Sequence, residues 1–307
     1  MDRISDLPKD ILQRILYFLS QEDAVRTSVL SKSWRDIWCT RPNLDFSSDN
    51  FKGQRKKFIS IMDETLQRYY DRRLSVEEFH LSISLGDLFY DFDHESAPFL
   101  EKWIPLLTDT GTKKFRLSIR TRWNTGRVRL PPVVFGAESL HDLHVESFSL
   151  DQMAIQSIVF LKNLKSLRLE KVCIEDESFN KIISNCIFIE TLVVKDCKRL
   201  RTIKIIFAHG LCPIEVHPPS LETIDISDGN LRFNKGADFR NLEDLSLCNV
   251  KSSLEHLSSC KFPSLKYLNI SGWPDLKETQ IFIDAPNIRN FDFIEKFVPS
   301  ISFAATF

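Results

Sequence analysis

A chain of 307 residues, 43% of them hydrophobic, can bury a sizeable core and fits one large domain beside a small one, which excludes a disordered chain. Its 41 lysines and arginines balance 42 aspartates and glutamates, so no overall charge pulls it toward nucleic acid or an anionic membrane. Asp2, Arg3, Asp6, Lys9 and Asp10 interrupt the N-terminus, and no run of about 18 apolar residues occurs, so neither a signal peptide nor a membrane span is expected and the protein is read as intracellular, in cytoplasm and/or nucleus.

The first 46 residues predict three short helices. In Leu7–Leu19, the residues Ile11, Leu12, Ile15, Leu16 and Leu19 fall on one helical side, which Phe18 widens, and Pro8 suits the first turn because its missing N–H has no partner there. Ser20 to Asp23 resembles a capping box opening a second helix through Ala24, Val25 and Val29. Ser31 is the expected N-cap of a third helix carrying Trp34, Ile37 and Trp38, and Pro42 ends the set. Helices of about ten residues are marginal in water, and so small a domain buries too little of its own surface; a second surface must cover the apolar stripe.

Next, FKGQRKKFISIMDETLQRYYDRR carries a helical stripe of Phe58, Ile61, Met62, Thr65, Leu66 and Tyr69. The segment 47–75 is therefore expected to be an amphipathic cap over the exposed first strand of the repeat region beginning at residue 76. Its seven basic and three acidic residues over 51–75 read as a solvated face, since no aromatic interleaving accompanies them. A further helix is expected around Phe99, Leu100, Trp103, Ile104 and Leu107.

From residue 76 to 307 the texture changes to the L-x-x-L-x-L pattern of a leucine-rich repeat. The clear instances start at Leu140, Leu164, Ile189, Leu200, Leu221, Leu242, Leu265 and Ile288, with weaker versions at Val76 and Thr112. Steps run from 21 to 25 residues except for 11 between Ile189 and Leu200, where the repeat is compressed or irregular. Each repeat makes one short strand that a neighbour must cover, so the expectation is a mixed α/β solenoid with a curved parallel sheet and a helical or irregular convex side. Phe179, Ile182, Ile183 and Cys186 predict one convex helix. The ninth motif place holds the usual residue type only at Cys197; Phe148, Val172, Ala208, Gly229, Val250, Trp273 and Lys296 elsewhere predict an irregular ladder at the turns.

Nothing in the chain predicts chemistry of its own. The seven cysteines, Cys39, Cys173, Cys186, Cys197, Cys212, Cys248 and Cys260, are odd in number and scattered, with no C-x-x-C pair, so reduced thiols are expected rather than disulfides or a zinc site. His141 and His144 point to opposite faces of a strand and cannot share a metal. No Gly-rich phosphate loop occurs among only nine glycines. A binding protein without metal or cofactor is the reading.

The binding surface is expected on the concave sheet, from the residues between the apolar places of each strand: Asp142, His144 and Glu146; Arg168 and Glu170; Lys195; Asp225; Asp244; Tyr267 and Asn269; and Asp292. From Asp225 onward these include acids and no base, so that part of the face should prefer a basic or hydrogen-bonding patch on a target. The final stretch, with Ile301, Phe303 and Phe307, reads as a solenoid end without a complete polar cap, as in a truncated or short relative, and predicts poor solubility.

The N-terminal 46 residues resemble the F-box of plant F-box/leucine-rich-repeat proteins, including the FBD-containing type. The matches are Leu7-Pro8, Ile11-Leu12, Ile15-Leu16, Leu19, Ala24-Val25, Ser28 to Lys32, Trp34-Arg35, Trp38 and Pro42 to Phe46; LPPVVFGAESLHDLHV and FPSLKYLNISGW resemble the same family's repeats. The resemblance implies an F-box at 1–46 that docks on a Skp-family adaptor and through it on a cullin, while the solenoid holds a target protein for ubiquitination. The adaptor-binding residues would be Leu7, Pro8, Ile11, Leu12, Ile15, Leu16, Leu19, Val25, Val29, Leu30, Trp34 and Trp38. The alternative is a repeat scaffold not coupled to ubiquitination. A helix-turn-helix DNA binder fits the short helices but not seven basic against eight acidic residues over 1–50.

Overall fold

The computed structural model describes residues 7–19, 21–48, 55–85, 92–121, 128–150, 161–206, 213–217, 220–233, 235–251, 254–272, 280–294 and 300–304. Ser20, Ala208, Cys212, Trp273, Lys296 and Phe307 lie outside these residues.

Three helices open the chain: α1 (Lys9–Phe18), α2 (Gln21–Thr27) and α3 (Lys32–Cys39). Pro8 caps α1 with its carbonyl, which accepts from the Ile11 and Leu12 amides at 3.1 Å each. The Ser31 hydroxyl caps α3 by accepting from the Trp34 amide at 3.2 Å, as the sequence predicts. Leu12, Leu16, Ala24, Trp34 and Ile37 form a core of their own, with Ile15, Leu19 and Trp38 packed against it.

The rest builds a twelve-stranded, all-parallel sheet. In chain order, β1 (Asn43–Ser47) is followed by helix α4 (Arg55–Asp71), β2 (Glu78–Leu85), helix α5 (Phe92–Asp109), β3 (Lys114–Thr121), β4 (Asp142–Glu146), β5 (Ser166–Glu170) and helix α6 (Asp176–Asn185). Then come β6 (Thr191–Lys195), β7 (Thr202–Ile206), β8 (Pro213–His217), β9 (Thr223–Arg232), β10 (Asp244–Lys251) and the short α7 (Leu254–Ser258). The last strands are β11 (Tyr267–Ser271), β12 (Gln280–Ile283), β13 (Asn290–Ile294) and β14 (Ser300–Phe303). The sheet order is β1-β2-β3-β4-β5-β6-β8-β9-β10-β11-β13, with β7 on β9; β12 and β14 pair separately. All eight clear repeats and both weak ones contribute a strand. Phe179, Ile182, Ile183 and Cys186 are buried on α6, and Phe99, Leu100, Trp103, Ile104 and Leu107 on α5.

Two boundaries differ from the sequence reading. The sheet begins at Asn43, inside the segment assigned to the adaptor domain, because Asn43–Ser47 pairs in parallel register with Glu78–Ser82. Consequently α4 is not a cap over an exposed first strand: it is the return from β1 to β2, and its Phe58, Met62, Leu66 and Tyr69 join the main core. Strand β8 does carry the pattern, in LCPIEV from Leu211, 11 residues after Leu200, but the sequence reading does not include it; β12 and β14 carry only short alternations.

One backbone device repeats through the solenoid. The carbonyl just before a strand's span accepts two successive amides from the next repeat: Glu77 accepts from Lys113 and Lys114, His141 from Lys165 and Ser166, and Lys266 from Arg289 and Asn290. At the 11-residue step this device changes. The amides of Arg201 and Thr202 instead donate to the carboxylate of Asp176, at 2.8 and 3.0 Å. Freed from β6, β7 pairs only with β9, and β8 fills the place beside β6. That short step is therefore a splice rather than a compressed repeat.

The eighth motif place is left-handed in successive repeats: Ser147, Lys171, Asp196, Asp228, Asn249 and Gly272 all have φ between 51° and 66°. This turn makes the bridges after it regular over Arg129, Ser149, Cys173 and Lys198, against the irregular ladder expected from the ninth place. Backbone amides carry it, not the ninth side chain: Ser149 donates to Val128, Cys173 to Phe148 and Lys198 to Val172. Gly272 also faces the side chain and backbone nitrogen of Asn249, which a Cβ would strike. Gly272→Ala is expected to destabilise the chain by about 2–3 kcal/mol. An unchanged midpoint of chemical unfolding would refute that assignment.

Candidate functional site

Two surfaces stand out. On the helical domain, the predicted stripe divides into an inward and an outward half. Leu12, Leu16 and Trp34 are 1%, 1% and 3% exposed and belong to the domain's own core, with Ile15, Leu19 and Trp38 packed against them. Leu7, Ile11 and Val25 are exposed, as are Val29 at 82% and Leu30 at 64% in the turn before α3. Pro8 is exposed and serves as the α1 cap. Phe18, which the sequence reading only added as a widening of the stripe, is 76% exposed. Its signal was the seven-residue step from Ile11, which returns a helix to the same side.

This domain is tied to the solenoid at several points. The Tyr17 hydroxyl donates to Glu78 Oε1 at 2.8 Å, and Lys114 Nζ holds the same carboxylate at 2.6 Å. Those donors keep the Glu78 carboxyl below its ordinary range although burial opposes them. Arg41 is buried, lies over the Trp38 ring at 4.9 Å and donates from Nε to the Asn43 carbonyl at 2.8 Å. The Tyr69 hydroxyl donates to the Arg41 carbonyl at 2.8 Å, and burial pushes that phenol up to about 12. These bonds fix helix α1 and the exit of α3 against β1, β2 and α4.

The concave positions come together in two groups. In the first, Asp142, His144 and Glu146 on β4 stand opposite Ser166, Arg168 and Glu170 on β5, and Glu170 stands opposite Lys195 on β6. Burial pushes the Glu146 carboxyl up, but the Ser118 hydroxyl at 2.6 Å and Lys171 at 2.9 Å outweigh it and hold the group below its ordinary value. Ser118 and Lys171 were missed because one lies in a weak repeat and the other in a turn. Burial lowers the His144 pKa more than Glu170, 3.6 Å away, can raise it, so the ring is neutral near pH 7. His141 does not join it; its ring meets the Ser139 carbonyl at 2.6 Å.

The second group aligns Asp225, Ser246, Asn269 and Asp292 across β9, β10, β11 and β13, with Asp244 opposite Tyr267. Lys204 reaches Asp225 at 3.7 Å. The splice at β7 and β8 stands between the two groups. Burial, and next the charge of Asp225, raise the Asp244 carboxyl. A raised folded-state value means the associated stability is complete below the ordinary aspartate range and is lost as pH rises through the raised value. Asp244→Asn should therefore raise the melting temperature at about pH 7, with the gain vanishing near pH 3. A drop at neutral pH would contradict this.

Three of the described thiols are buried in the repeat core. Burial pushes Cys186 and Cys197 up to about 12 and Cys260 to about 11, which suppresses the thiolate. Among the described residues, no group of three or more His, Cys, Asp or Glu is placed to hold a metal, and no helix is long and apolar enough to cross a membrane.

Comparison with known proteins gives the same two-part division. Residues 4–46 match the F-box domain, and residues 100–231 match the leucine-rich repeats of the FBD-associated F-box protein At5g56370. The chain is 27% identical to the Arabidopsis thaliana F-box/FBD/LRR-repeat protein At4g26340, covering 96% of this chain and 78% of that protein. It is 28% identical to the F-box/LRR-repeat protein At3g26922 of the same plant, over 94% of this chain and 80% of that one. With the putative F-box/LRR-repeat protein At3g18150, also from Arabidopsis thaliana, identity is 31% over 71% of this chain, which spans 42% of that relative's length. Proteins of this kind are typically adaptors rather than enzymes. With its capped helical domain and its motif-bearing strands in one parallel sheet, the chain carries an F-box followed by leucine-rich repeats similar to those of plant F-box/leucine-rich-repeat proteins.

Proposed function

We propose that this protein is a substrate-receptor subunit of an SCF-type cullin–RING ubiquitin ligase, acting in the cytoplasm or nucleus and not itself an enzyme. The F-box binds a Skp-family adaptor, which connects it to a cullin; the concave sheet binds a target protein, whose modification results from proximity to ubiquitin carried elsewhere. The observation that carries this reading is the division of the F-box stripe: the domain closes its own core and still leaves Phe18, Val29 and Leu30 in solvent. Burying each contributes about 1.5–3 kcal/mol before the cost of association, and about five or six such residues are enough for a stable complex. Leu7, Ile11 and Val25 extend the contact, whereas Leu12, Leu16 and Trp34 act by shaping it.

The target face is the two-part polar surface running from Asp142 to Lys195 and from Asp225 to Asp292. Rigid ties at Tyr17, Arg41 and Tyr69 support the design, because transfer by proximity requires a fixed distance between adaptor and target. The test is reconstitution of the full chain with a Skp-family adaptor, a cullin–RING module and a ubiquitin-charged conjugating enzyme, using proximity-labelled targets as substrates. Target ubiquitination that needs both halves of the chain supports the proposal. Adaptor binding without any transfer, or target binding by a chain that takes up no Skp-family adaptor, would leave a scaffold not coupled to ubiquitination.

A further inference from the structure

The first two return helices do not close on each other at their C-terminal ends. Between them, beside the chain entering β2, lies a half-open cavity of about 280 Å³. Its walls include Leu66, Val76, Trp103 and Leu107, all buried in the chain, while Tyr70 and Arg73 stand at its mouth. Trp103 is held in place from outside the cavity: its indole N–H donates to Asp63 at 2.7 Å, and Lys102 lies over the ring at 4.3 Å. Arg73 is fixed at the end of α4 with φ 52°, where the Leu74 amide donates to the Tyr69 carbonyl at 2.9 Å. No carboxylate pairs with Arg73 among the described residues.

We propose that this cavity binds a small organic anion with an apolar tail, of the class of a medium-chain carboxylate. An apolar void inside a protein leaves its lining atoms without contacts and is a ready receptor for an apolar group. At interior packing density, the space holds roughly ten to twelve non-hydrogen atoms. The tail lies among Leu66, Trp103 and Leu107, and the head meets the Arg73 guanidinium, the one cation among the described residues that line the site. A protein partner fits less well. Interface cores need a contiguous apolar patch, and among the described residues of α4 and α5 Tyr70 is the only large apolar side chain that is exposed. The site lies on the convex side and involves none of the residues of the adaptor or target surfaces.

The experiment uses the full chain with fluorinated tryptophan and octanoate as the probe, the Trp103 resonance being assigned with Trp103→Phe. Octanoate is expected to shift that resonance saturably below its aggregation threshold, and octylammonium is not. Arg73→Glu should weaken octanoate at least tenfold. Thr110→Trp, a change at an exposed position lining the opening, should abolish binding without disturbing the core. The proposal is overturned if no saturable shift occurs, if octylammonium binds equally, or if Thr110→Trp has no effect. A shift that tracks protein concentration alone would overturn it in favour of a second copy of the chain.

Discussion

Replacing Phe18 and Val29 together by glutamate is expected to weaken adaptor binding at least a hundredfold and to leave the folded chain intact. Both side chains are in solvent in the free protein, so the change removes two apolar contacts of about 1.5–3 kcal/mol each and adds charge to the bound face. Leu16→Ala should behave in the opposite way. Leu16 fills the small F-box core, and deleting it costs about 2–5 kcal/mol in a domain with little to lose. Circular dichroism and calorimetric titration separate the two outcomes: lost binding with retained helix for the first, lost helix for the second. Retained binding in the Phe18/Val29 double variant would place the adaptor contact elsewhere.

Asp176→Ala is expected to loosen the solenoid locally at its splice. The carboxylate accepts the Arg201 and Thr202 amides in the role a backbone carbonyl plays elsewhere in the sheet. Hydrogen bonds to a charged acceptor are strong, and losing this pair at a partly exposed site should cost about 2 kcal/mol. Hydrogen exchange at Arg201, Thr202 and along β7 should accelerate, with β4 and β5 unchanged. Asp176→Asn keeps one oxygen acceptor and should cost less. Unaltered protection of β7 in the alanine variant would refute the assignment.

Much of this architecture was legible because strand and repeat impose short periods. Leu140, Leu143 and Val145, and their equivalents in seven further repeats, fall inward for the reason that a strand alternates and its neighbour must cover it. Strand β1 was missed since Asn43 to Phe46 ends the F-box signature and lacks a leading leucine. The role of α4 was misread for the same reason: without β1, a helix at that place had nothing to return from. Asp176 was invisible because its partners, Arg201 and Thr202, lie 25 residues and more away and are backbone groups. Among the candidate site residues, the apolar stripe of α1 was plain, but its division was not: Leu12 and Leu16 differ from Ile11 and Phe18 only in which side meets Trp34 and Ile37. Similarly, the concave residues were correctly placed on one face by alternation, whereas the break between Lys195 and Asp225 required the pairing of β8 with β6.

The central claim is that the F-box exposes apolar side chains which a second polypeptide covers. Hydrogen exchange of the full chain, with and without a Skp-family adaptor, tests it most directly. The account predicts that added adaptor protects α1 and the turn around Val29 and Leu30 while leaving β3 to β11 unchanged. A chain whose F-box is already strongly protected alone, and whose exchange no adaptor alters, would contradict it.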